Sequence, residues 1–287
     1  REIKFDVFLD AAMELGADYV ATGHYCRKAT TEENGAEMHH LLSGKDPGKD
    51  QSYFLCQVNQ KQLAKALFPI GEMMKSEVRE IAKELDLVTA EKKDSQGLCF
   101  IGKVRLPDFL QQQLEPKTGN VIEIESNHPM YDGARSTSAE QAAPFVYTES
   151  DGKLLGEHQG AHYYTIGQRK GLGIGGTKLP LFIIGTDVET NTIYVGQGED
   201  HPGLRRKALL MKPSEVHWIR PDLTLSIGES MDYMVRIRYR QPLFPARLEM
   251  TPEGLYIIAE EPMKAVTPGQ FAAWYKDDEL VGSGVIA

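Results

Sequence analysis

Hydrophobic positions change period part-way along the chain. Phe5, Phe8, Leu9, Ala12 and Leu15 recur at helical spacing and Gly16 supplies a stop, predicting a helix over Glu2 to Leu15. Asp18 to Thr22 reads as a short buried strand running into Gly23-His24, and an open α/β sheet places ligand groups at such strand ends. Thr30 to Met38 is polar and reads as a hairpin tip. Leu41 to Ser43 resumes a strand, and helices are expected over Gln60 to Leu67 and Lys75 to Leu85. In the second of these, Ser76 is the expected N-cap, with Val78, Ile81, Ala82 and Leu85 inward. A short helix from Pro107 to Leu114 closes this half.

From Leu154 onward the pattern is short strands between turns: Tyr163 to Ile166, Leu181 to Asp187, Thr192 to Gly196, and Ala208 to Met211. Ser230 to Arg240, Ala246 to Met250, Gly254 to Ala259 and Gln270 to Tyr275 follow. This spacing predicts small barrels or sandwiches. Ser126 to Ser150 is polar and irregular, the pattern of a surface insertion.

Length and composition fit two or three globular domains in 287 residues. No apolar run approaches the ~20 residues of a membrane span, and no signal peptide opens the chain. Cys26, Cys56 and Cys99 are odd in number and widely spaced, forming neither a zinc pattern nor a disulfide framework, so a reducing, cytosol-like setting is expected. Net charge is 32 − 41 = −9, which argues against indiscriminate nucleic-acid binding. Gly203 to Arg247 runs the other way, with nine Lys/Arg against four acids, a local balance of +5. Such a face suits a polyanion bound at one place or a solvated strand surface.

Three motifs carry candidate chemistry. Cys99 sits in Asp94-Ser-Gln-Gly-Leu-Cys-Phe-Ile-Gly102, between glycines and after Lys92 and Lys93, as a nucleophilic thiol needs; a packed cysteine between Leu98 and Phe100 is the alternative. Gly171 to Gly176 matches G-x-G-x-x-G, but Thr177-Lys-Leu-Pro180 follows where a dinucleotide site needs a helix, so that reading is rejected. Arg236, Arg238 and Arg240 alternate along an expected strand, placing three guanidinium forks in a row for phosphates or for carboxylates.

Seven strings resemble, in order, the tRNA-specific 2-thiouridylases: Ala21 to Tyr25, Lys49 to Leu55, Asp94 to Gly102, Gly156 to Gly160, Tyr164 to Gly176, Arg238 to Gln241 and Val266 to Gln270. The resemblance implies a partial α/β, Rossmann-like adenine-nucleotide α-hydrolase domain over 1–115. A β-rich central domain over 116–204, with the insertion at 126–150, and a C-terminal tRNA-binding β-barrel over 205–287 would follow. It implies conversion of a tRNA wobble uridine to 2-thiouridine in the cytoplasm, through ATP (with Mg2+) and a persulfide from a sulfur-relay protein, with a disulfide bond among the family's properties. By the same resemblance Cys99 is the persulfide carrier, Gly23 an ATP contact, and His24, Lys49, Asp50, Gln51, Arg238, Tyr239 and Gln270 tRNA contacts; no resident metal is implied.

The family's N-terminal Ser-Gly-Gly-x-Asp-Ser loop and its other catalytic cysteine have no counterpart in these residues, and Cys26 and Cys56 occupy no catalytic motif. The chain as it stands is therefore expected to be inactive alone. Two other readings remain open on the residues: a non-catalytic RNA-binding module with a structural Cys99, and a different adenylating enzyme acting on a small substrate.

Overall fold

The computed structural model describes residues 2–33, 35–91, 109, 112 and 114–287. Cys99, Lys92, Lys93 and the rest of Asp94 to Gly102 lie outside the described residues, as does most of the helix expected from Pro107. The chain divides into two compact units. One takes the described residues of Arg1–Lys93 with Leu210–Ile257 and Gly269–Ala287; the other takes those of Asp94–Leu209 with Ile258–Pro268.

The first unit opens with a π-helical turn, Glu2–Val7, that continues as α1 (Phe8–Glu14). Gly16 then adopts a left-handed φ of +88°, a conformation glycine takes without a Cβ penalty. Phe5 and Leu9 are buried, whereas Phe8 and Leu15 are exposed. Strand β1 (Val20–Ala21) then hairpin β2 (Cys26–Glu33) and β3 (Ala36–Ser43) follow. Helix α2 (Gln60–Lys65) leads to β4 (Ala66–Leu67), which pairs in parallel with β1, Val20 opposite Ala66. A reciprocal capping box starts α2: the Asn59 side chain accepts from the Gln62 N–H and the Gln62 side chain accepts from the Asn59 N–H, both at 3.0 Å.

Helix α3 (Lys75–Glu84) is capped differently from expectation. Its cap residue is Met74, whose N–H donates to the Glu77 carboxylate at 2.6 Å, and Ser76 lies inside the helix. Its apolar side is only half-covered by described residues, with Val78 and Ala82 half-buried and Ile81 and Leu85 exposed.

The later strands are β9 (Arg205–Met211), β10 (Val216–Trp218), β11 (Ser230–Arg236), β12 (Phe244–Thr251), β13 (Gly254–Lys264), β14 (Phe271–Lys276) and β15 (Glu279–Val285). Of these, residues 205–209 of β9 and 258–264 of β13 belong to the second unit. With the early hairpin they make one sheet in the order β2-β3-β15-β14-β11-β12-β13-β9, and β10 also pairs with β15. The joint is antiparallel, Leu41 opposite Leu280 and Leu42 opposite Glu279. Behind it Cys26, Leu41, Leu55, Leu63, Ile219, Tyr275 and Leu280 share a core, so residues from both ends of the chain are buried together. Strand β11 stops at Arg236, and a turn follows in which the Gln241 N–H donates to the Arg238 carbonyl at 3.1 Å. Arg236, Arg238 and Arg240 therefore do not share a strand face.

The second unit holds β5 (Gly119–Glu123), β6 (Lys153–His158), β7 (Leu181–Asp187) and β8 (Thr192–Gln197) in the order β6-β5-β8-β7. Side chains alternate across this sheet with period two. Val121, Ile183 and Ile193 pack on one side with Leu172 and Leu181; Ile122, Ile184 and Tyr194 pack on the other with Ile124 and Leu204. Ala161–Tyr163 forms a short 3-10 turn where a strand was expected from Tyr163. The polar stretch 126–150 is no mere surface excursion. It carries helix α4 (Ser138–Ala142) and lays Met130, Tyr131, Phe145 and Tyr147 against the second face, with the Tyr131 and Tyr147 hydroxyls 3.1 Å apart. Gly171, Gly173 and Gly176 all have positive φ and no helix follows them, which agrees with rejecting a dinucleotide site.

Candidate nucleic-acid interface

The segment Gly44 to Leu55 is built around a buried carboxylate. Asp50 Oδ1 accepts from the Gly44 N–H at 3.2 Å and the Ser52 N–H at 3.0 Å. Its Oδ2 accepts from the Ser52 hydroxyl at 3.1 Å and meets Arg236 Nη1 at 3.4 Å. The loop passes so near its neighbour that a Cβ on Gly44 would stand 2.4 Å from the Tyr25 carbonyl oxygen. Gln51 fastens the same place from the other side, donating its N–H to the Tyr25 carbonyl at 2.9 Å and accepting the Tyr25 N–H at 3.0 Å. Asp50 thus faces inward, and its contribution to any bound molecule runs through the shape of the loop. Lys49 lies at the segment's half-exposed edge.

Ser52–Leu55 forms a 3-10 turn whose first and last residues are buried, which turns Phe54 outward at 54% exposure. Tyr53 anchors the turn by donating its hydroxyl to the Phe271 carbonyl at 2.8 Å, beside Gln270 at the head of β14. The Tyr239 ring lies 4.2 Å from that of Phe54 at 39°, and 6.4 Å from Tyr53. Arg236 spans the base of the cluster, its guanidinium 4.9 Å above the Tyr275 ring and 3.4 Å from the Tyr239 carbonyl. Burial pushes the Tyr53 phenol up to about 12, opposed by the charges of Arg236 and Arg238. Burial and Asp50 likewise raise Tyr239, against Lys49, Arg240 and Arg236. Both phenols are neutral at physiological pH, Tyr53 within the field of Arg236 and Arg238 and Tyr239 within that of Lys49, Arg240 and Arg236. The structure brings Tyr239 against Phe54 and Tyr53, with the charge of Arg238 acting on Tyr53 and that of Lys49 on Tyr239. The Gln51 side chain is turned to the Tyr25 backbone, and Gln270 directly precedes the Phe271 that anchors Tyr53. Phe54 and Tyr53 were not singled out in the sequence, where the available signal was an aromatic pair inside a short polar-flanked turn.

Gly23 and His24 occupy the carboxyl end of β1. Gly23 is exposed, with nothing among the described residues within 4 Å of the position a Cβ would take, which leaves its backbone open on that side. His24 is half-buried between Phe5 and Phe68, ring centroids 6.3 and 6.4 Å away, and its Nδ1 lies 2.8 Å from the Thr22 hydroxyl. Burial, reinforced by the charge of Lys4, pushes its pKa down to about 4, so the ring is neutral at pH 7. Cys26 and Cys56 are buried thiols; burial raises both, Cys56 to about 11. Neither is poised as a thiolate. Among the described residues no group of three or more His, Cys, Asp or Glu could hold a metal ion.

Family models match along the chain: the tRNA methyl transferase HUP domain over residues 1–103, the tRNA methyl transferase PRC-barrel domain over 138–197, and the aminomethyltransferase beta-barrel domain over 208–286. The chain is 58% identical over 294 residues to the tRNA-specific 2-thiouridylase MnmA of Flavobacterium johnsoniae, covering 100% of this chain and 74% of that protein. It matches its namesake in Christiangramia forsetii at 58% over 294 residues, with the same coverage, and that in Enterococcus faecalis at 45% over 291 residues, covering 100% of this chain and 69% of that one. The chain belongs to the tRNA-specific 2-thiouridylase family. Its fold is accordingly that of a nucleotide α-hydrolase-like HUP domain with a PRC-barrel and a C-terminal barrel, as the motif strings implied.

Proposed function

We propose that this 2-thiouridylase family member transfers sulfur to C2 of the wobble uridine of tRNA. The observation that carries the reading is the packing of Tyr239 on Phe54 and Tyr53 within the charges of Lys49, Arg238 and Arg240, in a chain 58% identical to proteins named for tRNA 2-thiolation. Cations position the phosphate backbone without reading sequence, and neutral tyrosine rings offer faces to unstacked bases.

The exposed backbone of Gly23 would contact ATP, which when bound would supply the adenylyl group that makes the C2 oxygen a leaving group, with pyrophosphate released. The protein's own part is to hold the loop, exclude water and present sulfur. His24, neutral beside Gly23, contacts the RNA as a hydrogen-bonding partner rather than as a cation. Asp50 keeps the Lys49–Gln51 loop in shape from inside. Cys99 carries the persulfide, taken from a sulfur-relay protein of the cytoplasm. Its terminal sulfur bonds to C2 as the activated oxygen departs with AMP. A second thiol, in the family its other catalytic cysteine, then attacks the Cys99 sulfur, so that the S–S bond breaks and 2-thiouridine is released. A disulfide remains for an external thiol to reduce. Neither Cys26 nor Cys56 can replace Cys99, since both thiols are buried and held protonated.

The test uses the full-length protein with ATP, cognate tRNA and a persulfide donor, comparing wild type with Cys99→Ser by mass spectrometry of digested tRNA. Wild type forms 2-thiouridine, and Cys99→Ser forms none while still binding tRNA. Normal thiolation by the serine variant removes Cys99 from the mechanism. Binding without thiolation by wild type favours the RNA-binding module.

A further inference from the structure

Phe54 is the apolar side chain of the interface that its own fold pushes outward. In the turn Ser52–Leu55, Ser52 is tied to Asp50 and lies 3.3 Å from the Tyr275 hydroxyl, Leu55 is in the core, and Tyr53 is fastened to the Phe271 carbonyl. With three of four positions anchored, Phe54 has no freedom to fold inward, and it stays 54% exposed. One side of the ring meets Tyr239 at 4.2 Å. The charges acting on Tyr53 and Tyr239 include the cations Lys49, Arg236, Arg238 and Arg240. The acid among them, Asp50, is buried and engaged by Arg236 and loop N–H groups.

An exposed aromatic ring on a rigid turn, backed by a second ring and rimmed with positive charge, matches a particular ligand chemistry. A phosphate alone needs the cations but no ring, and a duplex offers no base face. A single-stranded loop offers both a polyanionic backbone and unstacked bases. Resting on the tRNA reading, we infer that Phe54, with Tyr239 behind it, is a stacking platform for one unpaired base of the bound tRNA loop. Every base has a π-face, so the platform tolerates any base and fixes the loop's position rather than its sequence. Phe54 is a positioning residue; it takes no part in bond-making.

The experiment measures binding of an anticodon stem-loop RNA to the full-length protein, with 2-aminopurine replacing each loop base in turn. Wild type changes the probe's fluorescence at one loop position. Phe54→Ala abolishes that change and weakens binding about 10–100-fold, while Phe54→Trp binds within about threefold of wild type. The dependence of affinity on salt keeps its slope in Phe54→Ala, because no phosphate contact is lost. Phe54→Ala binding within about twofold of wild type, or Phe54→Trp as weak as Phe54→Ala, overturns the stacking role and leaves the tRNA reading standing. Failure of wild type to bind the stem-loop at low salt overturns both.

Discussion

Asp50 and Arg236 meet at 3.4 Å with both side chains largely buried, and on this pair the shape of the Lys49–Leu55 loop depends. Their sequence separation of 186 places one in the loop and the other at the end of β11. The Asp50 carboxylate also satisfies two backbone N–H groups and the Ser52 hydroxyl, so its removal strands several donors at once.

Asp50→Ala is therefore expected to destabilise the protein by about 3–5 kcal/mol, the range for breaking a buried pair and leaving one charge unmatched. Chemical denaturation checks this. An unchanged midpoint would mean that the loop keeps its shape without the carboxylate.

Arg240 is exposed beside Tyr239 and has the character of a phosphate contact. Arg240→Ala should weaken binding to all tRNAs alike and lower the slope of log affinity against log salt by about 1. Loss confined to one tRNA would instead indicate base readout.

His24 sets a pH dependence with a definite sign. Its folded pKa is about 4, below the ordinary value of 6.5, so the unfolded chain takes up this proton first as pH falls. The stabilisation is complete above pH 6.5 and is lost between about 6.5 and 4. His24→Gln should flatten stability over that window by on the order of 1–2 kcal/mol, less than the full linkage value because the ring keeps some solvent contact. Parallel pH profiles for variant and wild type would contradict the assignment.

Thiol labelling at pH 8 distinguishes the described cysteines from a reactive one. Cys26 and Cys56 are buried with raised pKa values and should stay unmodified by iodoacetamide until the protein is denatured. Peptide mass spectrometry showing rapid native-state labelling of Cys56 would contradict this.

Local pattern made much of this legible. Leu181 to Asp187 is a strand with the expected bounds, and Gln60 begins a helix as expected, because alternation and capping chemistry act within a few residues. Pairing between distant segments was not readable. Nothing in Leu41-Leu42 announces that it will lie beside Leu280 and Glu279, so the merging of early hairpin and late strands emerged only in three dimensions. The aromatics of 126–150 are few and scattered among polar residues, which hid the packing of Tyr147 against Tyr194 at 5.3 Å. At the interface the motif strings marked Lys49, Gln51, Arg238, Tyr239 and Gln270. They could not show that Asp50 points inward, nor that β11 ends at Arg236 and so breaks the expected row of arginines.

The most direct test of the central claim follows 2-thiouridine formation by the full-length protein over a series of tRNA concentrations. Wild type is compared with the double variant Arg238→Ala, Tyr239→Ala. Wild type should form 2-thiouridine, and the variant should need at least about 30-fold more tRNA for half-maximal rate while reaching a similar maximal rate. Absence of 2-thiouridine from wild type, or a lost maximal rate at unchanged tRNA dependence, would contradict the account.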